Sequence, residues 1–501
     1  MKTPELIDFS QPRIRLLHFT WIAFFIAFYV WFNMAPLATT MLKNVGWLTP
    51  EHLKVLAIVN VALTIPARLV IGSLIDRFGP RIVFSALLVT MSVPVFFFAF
   101  GDSFMQLFIS RMILSGIGAS FVIGIRLVAD WFPHKMVGRA EGFYAGWGNF
   151  GSAWAAMTLP WIALSWFSDN PDGWRYALAI NGVVSFVYGI LFFFLVRDTP
   201  GGEAFRGIKK TEPMIATSWS DLVQLTIWSF PLVGALGLLA WRLSNIKVGD
   251  NGTNFLTTDL MYICWIILAV IFIVHMAKTY AINIPLLKKG IPEKDRYRFS
   301  DVAALNTTYF ANFGAELAVV SMLPAFFEST YTMDPTTAGI IASSFAFVNL
   351  FARPLGGLLS DLMGNRKRTM IIYMAGIALG FFAMAFIQVG WPVWLAVAIT
   401  ILCSVFVQGA EGATFAVIPL IKKEYTGQIS GMAGAYGNVG AVTYLIVLSM
   451  VDSKTFFLLL AAGAAFSTLY CLLFLKEPKG SFSDDHGEIP ESDQNAKPAQ
   501  A

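Results

Sequence analysis

The chain is dominated by long apolar runs of about 20 residues or more, which recur from Trp21 to Phe474. A run of that length crosses a bilayer core of ~30 Å as an α-helix. In hydrocarbon every backbone N–H and C=O must find a partner inside the protein, so a spanning segment is a helix or part of a closed barrel. Barrel strands alternate over short segments. These runs are continuous, and the chain reads as an all-α polytopic membrane protein. Composition agrees: 56% of residues are hydrophobic and 13% are charged, against about 25% charged in soluble domains.

About fourteen runs have spanning length. They lie at roughly 17–41, 53–75, 82–100, 104–132, 139–166, 174–197, 222–242, 258–281, 301–328, 336–360, 369–389, 391–420, 427–450 and 454–475. Lys and Arg gather in every second loop. Arg77 and Arg81 follow the second span, Arg197 the sixth, Lys288 and Lys289 the eighth, Arg366 and Lys367 the tenth, and Lys422 the twelfth. By the positive-inside bias these loops and both chain ends are expected on the cytoplasmic side of a plasma or inner membrane. The opening "MKTPELIDFSQPRIRLLHFTW" shows no cleavable signal pattern. Residues 477–501 are polar and are expected to form a disordered tail.

Several chemistries find no footing. Cys264, Cys403 and Cys471 are scattered, and so are the five histidines, so neither a disulfide framework nor a metal site is expected. No Walker or Rossmann glycine loop occurs. An enzyme, a bound cofactor, a nucleotide-driven pump and a nucleic-acid partner are therefore poor readings. A monomer in the lipid bilayer is the expected assembly.

The chain repeats itself. "GRAEGFYAGWGNFG" from Gly138 is echoed by "GQISGMAGAYGNVG" from Gly427, and Asn149 matches Asn438. "ARLVIGSLIDRFGPR" is echoed by "ARPLGGLLSDLMGNR", which pairs Arg68 with Arg353, Asp76 with Asp361 and Gly79 with Gly364 at a constant offset of 285 (353 − 68). Two six-span halves thus carry the same marks in the same order. Parallel halves of this kind build major facilitator transporters, which hold substrate between them near the midplane. The expected organisation is residues 1–200 as the first half, 201–299 as linkers and an inserted two-helix hairpin, 300–476 as the second half, and 477–501 as the tail. The repeated glycines suit close helix packing. The two asparagines need more, because a buried amide must find a partner.

The phrase "GSLIDRFGPR" resembles the loop motif of the major facilitator superfamily. "AGWGNFG", "GAYGNVG", "NFGAELAVVSMLPAFFE" and "AEGATFAVIPLI" resemble its nitrate/nitrite porter family, in the branch of cyanobacterial nitrate permeases. The resemblance covers spans one to six and nine to fourteen and leaves the hairpin aside.

Arg68 and Arg353 lie deep in spans two and ten, where insertion of an arginine costs ~2.5–3.5 kcal/mol. No acid within either span matches them. A symmetric cationic pair facing a central cavity implies an anion, and the planar guanidinium fork suits a planar oxyanion. The family resemblance implies the same: paired arginines hold nitrate. It also implies an aromatic on the first helix of the second half, which Tyr309 fits, with Phe313 one turn on. Phe121 is a weaker match and equally reads as core. Asn149 and Asn438 are candidates to reach the anion or brace the arginines. Arg126 and Asp130 are spaced for a structural ion pair. Asp76, Arg77, Arg81, Asp361 and Arg366 are expected to brace a cytoplasmic gate. Glu316 and Glu411 are carboxylates inside second-half spans, either proton carriers or hydrogen-bonded structural acids.

The expected function is secondary active uptake of nitrate, with nitrite as a further substrate, by alternating access. Moving one negative charge against an inside-negative potential costs ~2.3 kcal/mol per 100 mV. Uptake then needs protons or a counter-anion, and Glu316 and Glu411 favour proton symport. The alternatives are nitrate/nitrite antiport and a non-transporting anion sensor.

Overall fold

The computed structural model describes residues 8–132, 134–168, 170–200, 213–248, 252–422 and 425–478. The tail from residue 479 and the linker at 201–212 lie outside the described residues, as do the side chains of Asp76 and Asp361. Thirteen described segments are long and apolar enough to cross a membrane. The fifth expected span is not among them. It is a 28-residue helix, His134–Trp161, about 42 Å long at 1.5 Å per residue. Its glycines and the amide of Asn149 make it less apolar than its neighbours. With it the helices of spanning length number fourteen (13 + 1).

The two halves pack alike. Span one, within Pro12–Asn44, lies on span five, and span nine, Phe299–Tyr331, lies on span thirteen, Gln428–Leu448. Span three, Pro80–Ala99, pairs with span six, Gly173–Leu195, as span eleven, Arg366–Met384, does with span fourteen, Ser453–Phe474. The repeated glycine phrases make the first of these pairings possible. A Cβ at Gly148 would lie 1.9 Å from Cδ1 of Phe24, and one at Gly437 would lie 2.6 Å from Phe313 and 2.7 Å from Tyr309. Only a residue without a side chain lets these helices approach so closely. Across the halves, span five packs on span ten, Pro335–Ser360, and span thirteen packs on span two.

The spans that carry the candidate residues are interrupted. Span two consists of helices Pro50–Ala62 and Thr64–Phe78, with the break at Leu63. Span ten consists of Pro335–Phe347 and Asn349–Leu362, with the break at Val348. The breaks are 285 residues apart (348 − 63), the offset of the repeat, and each stands five residues before an arginine. Span nine breaks at Asn312. Span four passes through a tight 3-10 turn, Ser115–Ala119. Phe313 follows the break in span nine directly, and Phe121 stands two residues after the turn in span four. Irregular backbone in a membrane is tolerated where protein buries it, and here it sits at the junction of the halves.

The inserted hairpin comprises spans seven, Trp219–Leu243, and eight, Thr258–Lys289. It is fixed to the second half at three levels. Asp221 Oδ1 accepts from the backbone N–H of Phe299 at 2.9 Å. The Tyr436 hydroxyl donates to the carbonyl of Trp228. Arg242 donates to Ser449 Oγ at 2.8 Å and to its carbonyl at 3.0 Å. The loop between the two helices also reaches the first half, where the Phe255 ring sits 4.7 Å from Phe108 and 5.4 Å from Phe104. Span eight otherwise turns its apolar residues outward.

The basic-loop end shows a second symmetry. The backbone N–H of Arg81 donates to Asp198 at 2.7 Å. Those of Arg366 and Lys367 donate to Glu477 at 3.0 and 2.8 Å. An acid after the last helix of each half thus caps the start of that half's third helix. The Arg81 guanidinium lies 4.2 Å from the Phe193 ring centre, and that of Arg77 lies 5.2 Å from Phe78. Burial raises the pKa of the Asp198 carboxyl, while the Arg81 N–H works the other way. Arg126 and Asp130 form the expected pair at 3.0 Å. At the opposite end, Thr39 donates to Glu328 at 2.6 Å, linking the first half to the second.

Candidate anion-binding site

The breaks in spans two, four, nine and ten bring Arg68, Phe121, Phe313 and Arg353 into one cluster. The guanidinium carbon of Arg68 is 5.7 Å from the Phe121 ring centre and 5.9 Å from that of Phe313. The guanidinium carbon of Arg353 lies at the same two distances from the same two rings. Arg68 and Arg353 are 7% and 3% exposed. Two cations thus share a pair of aromatic walls inside a low-dielectric interior, where each ring face attracts positive charge.

Tyr309 belongs to the same cluster. It stacks on Phe313 at 5.0 Å with 9° between the ring planes, and its hydroxyl accepts from Arg353 Nη2 at 2.9 Å. Phe415, which sequence reasoning did not single out, stands edge-on to Tyr309 at 5.1 Å and to Phe121 at 5.8 Å. It closes the aromatic wall from span twelve.

The two arginines are not equivalent. Arg68 Nη1 donates to the carbonyl of Gly434, across the boundary between the halves, while its Nε and Nη2 have no hydrogen-bond partner. Arg353 Nη1 lies 2.6 Å from Glu411 Oε2. The expectation that no acid matches the arginines is corrected here. No acid shares their spans, but Glu411 reaches Arg353 from span twelve. Its side chain is fully buried, and an ion removed from water needs such a partner.

Glu316 is 1% exposed and accepts from Asn349 Nδ2. Asn349 opens the second helix of span ten, four residues before Arg353. It too was missed, although an amide inside an apolar run is the signal that marked Asn149 and Asn438. The structure separates those two. Asn438 Nδ2 donates to the Gly434 carbonyl at 3.3 Å, the oxygen that Arg68 also uses. The Asn149 amide is buried and has no hydrogen-bond partner, so it does not brace either arginine.

Comparison with known proteins places this arrangement among relatives. The profile of the Major Facilitator Superfamily matches residues 20–292 and 305–498. A protein named nitrate/nitrite transporter NrtP from Nostoc punctiforme is 46% identical over 97% of each chain. A protein of the same name from Picosynechococcus is 43% identical over 95% of each. Among solved structures, the D-xylose-proton symporter superposes with a TM-score of 0.61 over 93% of this chain and 98% of that one, at 14% identity. The last likeness is one of fold.

Proposed function

Because this chain belongs to the major facilitator superfamily, within its nitrate/nitrite porter family, we propose that it takes up nitrate, and nitrite as a second substrate, together with protons. It is a multi-pass membrane transporter and not an enzyme. One observation carries the reading: Arg68 and Arg353 stand at matching distances from Phe121 and Phe313. A flat, singly charged anion between those rings meets a guanidinium from each half. Binding from both sides holds the halves together around the anion, which is the requirement of alternating access. Tyr309 positions the Arg353 fork, and Asn438 shares the Gly434 carbonyl with Arg68.

Proton coupling is supported by the place of Glu411. An incoming anion competes with this carboxylate for Arg353 Nη1. When the anion wins, Glu411 is left buried without its cation, and taking a proton removes the cost of that charge. By linkage, the proton then favours the anion to the same degree. Both chain ends and the basic loops face the cytoplasm of a plasma or inner membrane, in keeping with the loop charges. On that side the backbone N–H groups of Arg81 and Arg366 are held by Asp198 and Glu477, each within its own half, so each half keeps its end fixed while the two move.

The test is counterflow and uptake in proteoliposomes with nitrate, nitrite, formate and oxalate, each with and without an imposed pH gradient. The reading requires nitrate counterflow, and accumulation that follows the proton gradient. Exchange that ignores the gradient and needs anion on both sides would establish antiport instead.

A further inference from the structure

Glu316 and Glu411 come from different helices, in spans nine and twelve, and both are closed off from solvent. Their partners, Asn349 and Arg353, stand four residues apart (353 − 349) on the second helix of span ten, so one helix face draws the two acids together, close enough for a side-chain hydrogen bond once either is protonated. Glu316 Oε1 accepts from Asn349 Nδ2, and Glu411 Oε2 is ion-paired with Arg353 Nη1, without the alignment of a hydrogen bond. The other two oxygens, Glu316 Oε2 and Glu411 Oε1, are buried with no hydrogen-bond donor from the protein. Two acids therefore face each other with one oxygen each engaged outward and one each left over.

The charges nearby are few. Arg353 pairs with Glu411, and the Tyr309 hydroxyl is held by Arg353. Arg68 is engaged with the Gly434 carbonyl and makes no ion pair with either acid. One direct cation thus serves two buried carboxyl groups. If both were ionised, one negative charge would remain without a direct partner, and a buried charge without a partner is strongly disfavoured. A single proton between them removes that charge and at once satisfies both leftover oxygens, one as donor and one as acceptor.

We infer that Glu316 and Glu411 act as one carboxyl pair that holds a proton between them, oriented by the amide of Asn349, and that this pair binds and releases the transported proton. The inference rests on the proton-coupled reading above. The accounting is as follows. Before loading, the pair holds one proton and one negative charge, which Arg353 balances. Nitrate then takes Arg353 Nη1 and adds one negative charge. The pair accepts one proton from water on the open side, and each carboxyl becomes neutral. Loading leaves the net charge of the site unchanged, and release on the other side reverses both steps. Asn349 is a positioning residue, because it fixes which oxygen of Glu316 is turned toward Glu411.

Calorimetry on the purified full chain, titrated with nitrate in buffers of different ionisation enthalpy, counts protons taken up on binding. The wild type is expected to take up about one proton per nitrate. Glu411→Gln and the double variant are each expected to take up none, whereas Glu316→Gln is expected to take up its proton at a shifted pH midpoint, because Glu411 has then lost the carboxyl it is coupled to. Asn349→Ala is expected to move the pH midpoint of proton uptake, and Asn349→Gln to return it toward the wild-type value. If Glu316→Gln takes up its proton at the wild-type midpoint, or Glu411→Gln still takes up a proton, one acid works alone and the pair is overturned. An unmoved midpoint in Asn349→Ala removes the orienting role. Nitrate binding by the wild type without proton uptake overturns the pair and the proton-coupled reading but leaves nitrate as substrate. No nitrate binding at all overturns the whole reading.

Discussion

Arg68 Nη1 donates to the carbonyl oxygen of Gly434, so a side chain of the first half is held by the backbone of the second. The bond joins span two to span thirteen, the pair of helices that also pack across the halves. A Cβ at position 434 would lie 2.8 Å from that same Nη1. The far end of an arginine moves readily, so the protein is expected to tolerate Gly434→Ala with little loss of stability. The guanidinium, however, is pushed from its place between the rings. Nitrate affinity is expected to fall by about tenfold, the worth of one charge-assisted hydrogen bond. Equilibrium binding and thermal unfolding of the same preparation check the two halves of this statement. Unchanged affinity would detach the Gly434 carbonyl from the site.

Arg68→Lys and Arg353→Lys separate charge from shape. Lysine keeps the cation but loses the planar fork. Each variant is expected to reach the membrane and to lose at least about tenfold in nitrate affinity, with Arg353→Lys also losing its bond to Tyr309. Initial uptake rates over a range of nitrate concentrations measure the effect. Near-normal transport in either variant would mean that charge alone suffices.

Gly437 supports the aromatic wall from behind. Its absent side chain leaves room for Tyr309 and Phe313, which stack on each other and cannot both retreat. Gly437→Ala is expected to cost about 1–3 kcal/mol as overpacking. A lowered midpoint of thermal unfolding together with weakened nitrate binding is the expected pair of results. A variant as stable as wild type would show that the rings have slack.

Phe255 of the hairpin loop touches Phe108 of the first half, while the hairpin is bonded to the second. Motion of the halves at this end must separate the two rings. Cysteines at 255 and 108, with Cys264 changed to alanine, are expected to be bridged by a bifunctional thiol reagent about as long as the two rings they replace, and the bridge is expected to stop uptake. Cross-linked protein that still transports would show that this contact persists through the cycle. Cysteine labelling along spans seven and eight is expected to be insensitive to nitrate, since those helices line the outside of the bundle.

The spans, the doubled halves and the two arginines were legible because each leaves a one-dimensional mark: a run of fixed length, a constant offset, a charge within an apolar run. The break at Leu63 has a mark that is easily passed over, because Pro66 has no N–H for the carbonyl of Ala62, four residues before it; the break at Val348 has no proline so placed, and tertiary packing decides it. Glu411 could be picked out as a buried acid, but its bond to Arg353, 58 residues away (411 − 353), depends on how span twelve is rotated about its axis. Phe415 was hidden for the same reason, as one aromatic among 45 phenylalanines. Asn149 shares the sequence context of Asn438, yet its amide has no hydrogen-bond partner where Asn438 bonds the Gly434 carbonyl. Internal repetition copies a residue without copying its contacts.

The hairpin of spans seven and eight has a consequence for how such a chain can change over generations. Two crossings return the chain to the side from which it left. The second half therefore threads into the membrane in the same direction with the hairpin or without it, and the Leu63 and Val348 breaks keep their counterpart positions. A gain or loss of the hairpin as a unit preserves the architecture, whereas a gain or loss of either helix alone would turn the second half upside down. Heredity can treat these helices only as a pair.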